Sequence, residues 1–424
     1  MVLAIDPRFV AVGVFVAVYA LILLGLRELT AASLAGAAVL LLLGILTPEQ
    51  AWGHVDFDVI ALLIGVMVVS RVLSHVGFFR WLGIHMANLV RCDPSKMMLL
   101  FLGVSALLTA FAGATVVVAL MMSMVVMEIM DVLELDPRPY ILGVIFAVNI
   151  AGMSTSVSSL PTILVASAWH LSFADVASMM WAPAIVDIVV LMAIMLFLNR
   201  EELLKAKPAF TRIPISPSEV ITDRKLFSFS LAMFILMVVG FVAGPSIGLT
   251  PGAVALITAA ILLIVGGKRI GPVVREVDWE TVLSIMGLLI IVGALEETGA
   301  IKSLADFIAP GLSRDRASGI SLMLWTSAIA SAVVDNVPFT MAMISALKAM
   351  GSQSTDYLRW ALVVGTCLGG NGTIIASYAN LVVVSQASEK GYEINPRTFM
   401  KIGMGLLFAT AAVSDLVLLA EFAR

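Results

Sequence analysis

The segment Ser331-Ala-Val-Val-Asp335-Asn336-Val-Pro338-Phe-Thr340 puts a carboxylate and an amide between two apolar limbs. Pro338 suits the first turn of a second limb, so the pattern predicts a hairpin whose tip aims a helix N-terminus into the protein interior. A carboxylate at mid-membrane depth costs at least about 2.5–3.5 kcal/mol, which makes an idle one rare. The expectation is that Asp335 binds a cation such as Na+ or carries a proton, with Asn336 supplying an amide oxygen and Thr340 on the same limb. The competing reading makes Asp335 the N-cap of the second limb and nothing more.

A second candidate is Gly365-Thr-Cys-Leu-Gly-Gly-Asn371-Gly-Thr373-Ile-Ile-Ala-Ser377-Tyr-Ala-Asn380. Glycine disfavours continuous helix and lets a ligand approach the backbone. Broken helices in transporters expose carbonyls to cations and half-helix N-termini to anions. Glycines alone would also suit a close helix crossing; the amides and hydroxyls of Asn371, Thr373, Ser377 and Asn380 favour a binding site.

The corresponding first-half segments are chemically weaker. Ala112-Gly113-Ala114-Thr115 occupies the hairpin-tip position without acid or amide, while Asn149, Gly152, Ser154, Thr155, Pro161 and Thr162 occupy the broken-helix position. Any ion site should therefore lean on the second half. Asp187 and Asp415 lie inside long apolar spans and read equally as proton relays or as acids satisfied by a neighbouring helix. The four histidines stand singly near span ends and the two cysteines have no ligand spacing, so neither zinc nor a disulfide is expected.

The elements that hold these residues follow from composition. The chain is 61% hydrophobic and 13% charged with a mean hydropathy of +1.07, too few charges to cover a soluble globule of 424 residues. A net charge of −4 and the absence of a basic face argue against nucleic acid as a partner and leave lipid as the surroundings. Apolar runs long enough to span a bilayer lie near 9–26, 29–46, 58–75, 176–198, 226–243, 249–267, 281–298 and 398–421. Interrupted runs fill 97–130, 139–170, 318–350 and 358–388; backbone breaks at membrane depth are tolerated only where they are buried or line a cavity. The polar stretch 199–225, rich in Lys and Arg and broken by Pro208, Pro214 and Pro217, reads as a cytoplasmic linker.

The flanking halves, 1–198 and 226–424, resemble each other. Val55-Asp56-Phe57 aligns on Val277-Asp278-Trp279 at a shift of 222, which also carries Gly65 onto Gly287 and 107–122 onto 329–344. Four residues of slippage bring 152–162 onto 370–380. Collinear glycines over two long segments point to an internal repeat. Three full spans, a re-entrant hairpin, a broken helix and a final span per half make an odd number of crossings, so the second half is inverted and the all-α chain crosses about ten times. With the linker inside, Arg27, Arg80, Arg91, Lys96, Arg138, Lys268, Arg269, Arg275, Lys390, Arg397 and Lys401 also fall inside. Arg8, Lys302, Arg314, Arg316, Arg359 and Arg424 fall outside, as do both termini.

At Asp335-Asn336-Val-Pro-Phe-Thr340, at Cys367-Leu-Gly-Gly-Asn-Gly-Thr373 through Asn380, and at Asn149, Gly152 and Pro161, the sequence resembles the ion transporter superfamily. The branch is that of arsenite permeases, NhaD-type sodium–proton antiporters and the P protein, with a citrate-transporter-like domain. The resemblance covers nearly the whole chain. It implies a plasma-membrane homodimer in which a scaffold domain supports a transport domain that moves in elevator fashion. It also implies a second-half site of Asp335, Asn336, Asn371, Thr373 and Asn380, with Asn149, Ser154, Thr155 and Thr162 lining its first-half counterpart. The chain departs from the family where many members carry an acid–amide pair at the first tip, here Gly113-Ala114. It departs again at Ser158-Ser159 and Pro161-Thr162, where many have Gly-Asp before Pro-Asn.

The leading expectation is a secondary permease for a small inorganic or organic anion or arsenite, driven by Na+ or H+ and needing no cofactor. The alternative is a Na+/H+ antiporter centred on Asp335. An intramembrane enzyme or a purely structural membrane protein finds less support: no Ser/His, Cys/His or paired-acid arrangement is present. No P-loop appears in the chain, although a separate ATPase subunit is left open as a partner.

Overall fold

A computed structural model describes residues 6–23, 28–113, 115–206, 208–312, 314–333, 335–351 and 356–422, without the side chains of residues 22, 23, 268, 269 and 304. Arg27 and Arg424, the side chains of Lys268 and Arg269, the tip residue Ala114 and both termini lie outside the described residues.

The described residues form helices and no strands. The first half contains α1 (Pro7–Leu23), α2 (Leu29–Leu42), short α3 (Pro48–Gly53), α4 (Phe57–His75), α5 (Phe78–Leu89), α6 (Pro94–Ala112), α7 (Thr115–Leu133), α8 (Arg138–Ala151), α9 (Leu160–Ala168) and α10 (Phe173–Leu198). After α11 (Arg200–Lys205) the second half runs through α12 (Arg224–Ala243), α13 (Pro251–Gly266), α14 (Trp279–Glu297) and α15 (Ala300–Leu312). It continues with α16 (Arg316–Val333), α17 (Asn336–Ala349), α18 (Leu358–Gly369), α19 (Tyr378–Glu389) and α20 (Pro396–Phe422). Among the described residues seven helices are long and apolar enough to cross a membrane, and five shorter apolar helices accompany them.

Four elements differ from the hydropathy reading. The run 29–46 ends as helix at Leu42, because Gly44 adopts φ +69° and turns the chain. The linker opens with helical α11, since its prolines act only from Pro208 onward. The helices α5 and α15 were hidden because each is amphipathic, with Arg80 and His85 in the first and Lys302 and Asp306 in the second diluting the apolar signal.

The recurring Val-Asp-aromatic motif is a helix start. Asp56 accepts the N–H groups of Asp58 and Val59 at the head of α4, and Asp278 accepts that of Thr281 at the head of α14. The two helices then pack across the halves. Gly65 of α4 meets α13 so closely that a Cβ would stand 2.5 Å from the Ala255 carbonyl carbon. Gly287 of α14 meets α2, where a Cβ would stand 2.8 Å from the Ser33 carbonyl carbon. Small residues permit such approach where lipid supplies no hydrophobic drive between helices. A second body gathers α6–α10 and α16–α20, with α6 against α8, α16 against α18, α10 against α20, and the crossed pairs α7 with α19 and α9 with α17. From Tyr140 onward every residue of α8 is buried, and α18 is buried on nearly all sides. The ends of these two helices therefore lie at the centre of the molecule.

Candidate functional site

Both central helices stop short of a full crossing. α8 ends at Ala151 and the chain resumes as α9 at Leu160; α18 ends at Gly369 and resumes as α19 at Tyr378, after a 3-10 turn at Ile374–Ala376. A helix end buried in this way needs partners for its last carbonyls. The hydroxyls of Ser158, Ser159 and Thr162 donate to the Gly152 carbonyl at 2.6, 2.7 and 2.7 Å. At the second break Asn380 Nδ2 donates to the equivalent Gly370 carbonyl at 2.7 Å.

The two breaks are joined by amides. Asn149 Nδ2 donates toward Asn371 Oδ1 at 3.1 Å, Asn380 Oδ1 at 3.0 Å and the Gly370 carbonyl at 3.2 Å. Acting as acceptor turns the Asn371 amide so that its own Nδ2 has no partner, although the residue is fully buried. An orphaned buried donor costs about 1–3 kcal/mol. The hairpins are tied to the breaks by a repeated bond: Thr155 Oγ1 donates to the Ala110 carbonyl at 2.6 Å and Thr373 Oγ1 to the Ala332 carbonyl at 2.7 Å.

At the second tip Asp335 caps α17, accepting the Val337 N–H at 3.0 Å through one oxygen. At the first tip Gly113 adopts φ +60°, and a Cβ there would lie 2.6 Å from the Val157 carbonyl oxygen. No side chain fits that position, which explains why the first tip carries no acid.

These pieces surround one cavity of about 540 Å³. Four helices begin at its wall: Thr115 and Val116 open α7, Leu160 and Pro161 open α9, Asn336 and Val337 open α17, and Tyr378 and Ala379 open α19. Their preceding residues Ser159, Asp335 and Ser377 also line it; neither serine side chain caps its own helix. First-turn N–H groups and positive dipole ends thus converge on the same space. The opposite wall is Glu28, Thr30, Glu280, Thr281 and Ser284, where the Thr30 and Ser284 hydroxyls bond at 2.8 Å. Lys, Arg and His are absent from the lining among the described residues.

Of the residues singled out from sequence, Asp335, Asn336, Ser377 and Asn149 line the cavity. Asn371, Asn380, Thr155, Thr162 and Thr373 stand behind the wall as the bonds that shape it, and Ser154 is buried within the first break. Thr340 is fully buried and bonds back to the Asn336 carbonyl of its own helix at 2.6 Å. Asp187 and Asp415 lie away from the cavity. The first accepts from Ser414 Oγ at 2.7 Å with its other oxygen unpartnered, and the second accepts from Ser321 Oγ at 2.8 Å and Trp325 Nε1 at 3.1 Å. Among the described residues no group of three or more His, Cys, Asp and Glu could hold a metal ion.

Sequence reasoning missed Glu28, Thr30, Glu280, Thr281, Ser284 and Cys367. The wall acids read as ordinary residues of helix ends, and only tertiary packing brings α2 and α14 to the site. Cys367 had a signal, since the offset of 218 that pairs Gly152 with Gly370 pairs it with Asn149. Its Sγ lies 3.6 Å from Ser159 Oγ and 3.7 Å from Thr162 Oγ1.

Comparison with known proteins points the same way. The profile of a family described as "Citrate transporter" matches residues 19–365. An uncharacterised transporter of Mycobacterium tuberculosis is 32% identical over 418 residues, 96% of this chain and 97% of that protein. The P protein of Sus scrofa is 26% identical over 504 residues, spanning 97% of this chain and 59% of the P protein. The crystal structure of the YdaH transporter of Alcanivorax borkumensis shares the fold, with a TM-score of 0.59 and 13% identity over 99% of both chains.

Proposed function

We propose that this chain, which belongs to the citrate transporter family and is a multi-pass membrane transporter, is an ion-coupled secondary permease for a small inorganic or organic anion or arsenite. The observation that carries the reading is the convergence of four helix N-termini and the Asp335 carboxylate on a single 540 Å³ cavity. N-termini favour negative charge without basic side chains, which suits an anion or a polar neutral oxyacid. Asp335 supplies the coupling group: its second oxygen is free of its cap bond and faces the cavity, ready for Na+ or H+. The Asn371 N–H without a partner lies behind the cavity wall, in the amide cluster that joins the two breaks.

The halves act as inverted repeats, supported by equivalent contacts 222 or 218 residues apart: Gly65 on Ala255 with Gly287 on Ser33, and Thr155 to Ala110 with Thr373 to Ala332. α1–α5 and α12–α15 form the scaffold, which also supports a homodimer. α6–α10 and α16–α20 form a transport body, tied together across the two halves by Asn149 and its partners, that moves against the scaffold as an elevator. The linker faces the cytoplasm of a cell membrane and both termini face out, by the distribution of Lys and Arg.

A Na+/H+ antiporter is the second reading, favoured by a lining with Asp335, Glu28 and Glu280 but no described base. Proteoliposome flux separates the two, with sodium and proton gradients imposed singly against arsenite, citrate and sulfate. Gradient-driven accumulation of one of these solutes supports the permease. Sodium-dependent proton movement with none of them present replaces it with the antiporter.

A further inference from the structure

The helix pairs α4–α9 and α14–α19 are related by the same offsets as the halves, yet they differ in one contact. In the first pair Asp56, the N-cap of α4, accepts a hydrogen bond from Ser167 in α9, and α9 packs against α4. An offset of 222 takes Asp56 to Asp278, the N-cap of α14, and the break offset of 218 takes Ser167 to Ser385 in α19. There the bond is absent among the described residues. Ser385 is exposed, and the cavity lies between the two helices, walled by Glu280 and Ser284 of α14 and by Tyr378 and Leu381 of α19.

The oxygens of the two acids explain how one pair closes while the other waits. Asp56 spends Oδ1 on the capped N–H groups of Asp58 and Val59, leaving Oδ2 for Ser167. Asp278 spends Oδ1 on the Thr281 N–H at 3.0 Å, but its Oδ2 already holds the Thr281 hydroxyl at 2.6 Å. The residue equivalent to Thr281 in the first half is Val59, which has no hydroxyl to offer. Thr281 therefore gives Asp278 a hydroxyl partner that Asp56 lacks, and Ser385 would have to share that oxygen with it or displace it.

We propose that Asp56–Ser167 and Asp278–Ser385 are alternating gate pairs. The Asp56–Ser167 bond holds α9 closed against α4 in the present state. In the opposite-facing state it breaks, and Asp278 releases the Thr281 hydroxyl to take Ser385. The Thr281 hydroxyl is the positioning group that sets the resting balance toward the present state. This rests on the inverted-repeat, alternating-access reading above and deepens it.

The test uses the full chain in liposomes and a short bis-methanethiosulfonate cross-linker, which needs no knowledge of the substrate. Asp56→Cys with Ser167→Cys, and Asp278→Cys with Ser385→Cys, each form a bridge; the native Cys92 and Cys367 are buried, and the unmodified chain controls for them. With all four substitutions, doubly bridged molecules are at least about ten-fold rarer than independent formation would give, because one state excludes the other. Because the Asp variants lose a cap, a second measurement keeps both caps: Ser167→Cys alone reacts several-fold faster with a maleimide when Thr281→Val is added. Both bridges in one molecule, or a Ser167→Cys rate indifferent to Thr281→Val, overturns the proposal. Loss of coupled flux in Asp335→Asn is an independent readout, so the gates can fail while the transport reading stands.

Discussion

The two hairpin tips occupy equivalent places and do opposite things. The second ends in Asp335, whose φ of −51° leaves room for a side chain that caps α17 and faces the cavity. The first ends in Gly113, whose φ of +60° and contact with the Val157 carbonyl forbid any side chain. A similar inequality runs through the breaks. The Gly152 carbonyl is satisfied by three local hydroxyls, whereas the Gly370 carbonyl is satisfied by amides, one of them reaching over from Asn149. One half thus holds its shape from within, and the other carries ionisable and amide groups that depend on its partner. A repeat supplies two copies of a frame, and sequence drift can then give the chemistry to one copy while the other keeps the geometry.

The largest expected effect tests that inequality directly. Asp335→Asn keeps an N-cap acceptor of similar strength, so the protein folds and elutes normally while coupled flux in proteoliposomes falls at least about 100-fold, equivalent to roughly 2.7 kcal/mol. Undiminished coupled flux would remove Asp335 from the coupling role. Next in size is Gly113→Asp, the attempt to make the halves alike. It forces a branched atom into a left-handed, occupied position and lowers stability by about 1–3 kcal/mol, read as a drop in melting temperature. The ion-to-solute stoichiometry measured from reversal potentials stays unchanged, and a gain of one coupling ion would show that the first tip can be repaired. The smallest effect sharpens the comparison. Thr155→Val and Thr373→Val each remove one hydrogen bond, buried for Thr155 and partly buried for Thr373, and cost about 1 kcal/mol of stability alike. Flux falls further for Thr373→Val, because its bond holds the segment between Asn371 and Ser377; equal flux losses would argue that both breaks serve the site equally.

Much of this was legible in the chain. Hydropathy gave a multi-pass all-helical protein, and the Val-Asp-aromatic motif gave equivalent starts for α4 and α14 because a carboxylate before an apolar run is a local capping signal. Gly113-Ala114 announced a tip without an acid, though not the reason for it. Other features were illegible for definable reasons. Amphipathic α5 and α15 fell below any hydropathy threshold, and Glu28, Glu280 and Thr281 looked like ordinary polar residues of helix starts. Asn149 showed itself as a polar residue in an apolar helix, but nothing local says that its amide serves the opposite half.

By itself the sequence determined what local energetics can fix: which stretches prefer lipid, where helices start, and where glycine, proline and buried polar groups interrupt them. Tertiary structure alone decided which oxygen meets which hydroxyl. The contacts of Asn149 with Asn371 and Asn380, the wall contributed by α2 and α14, and the Asp56–Ser167 bond join residues more than a hundred positions apart. Such bonds depend on directions and separations set by packing whole helices against each other, and no periodicity along the chain encodes them.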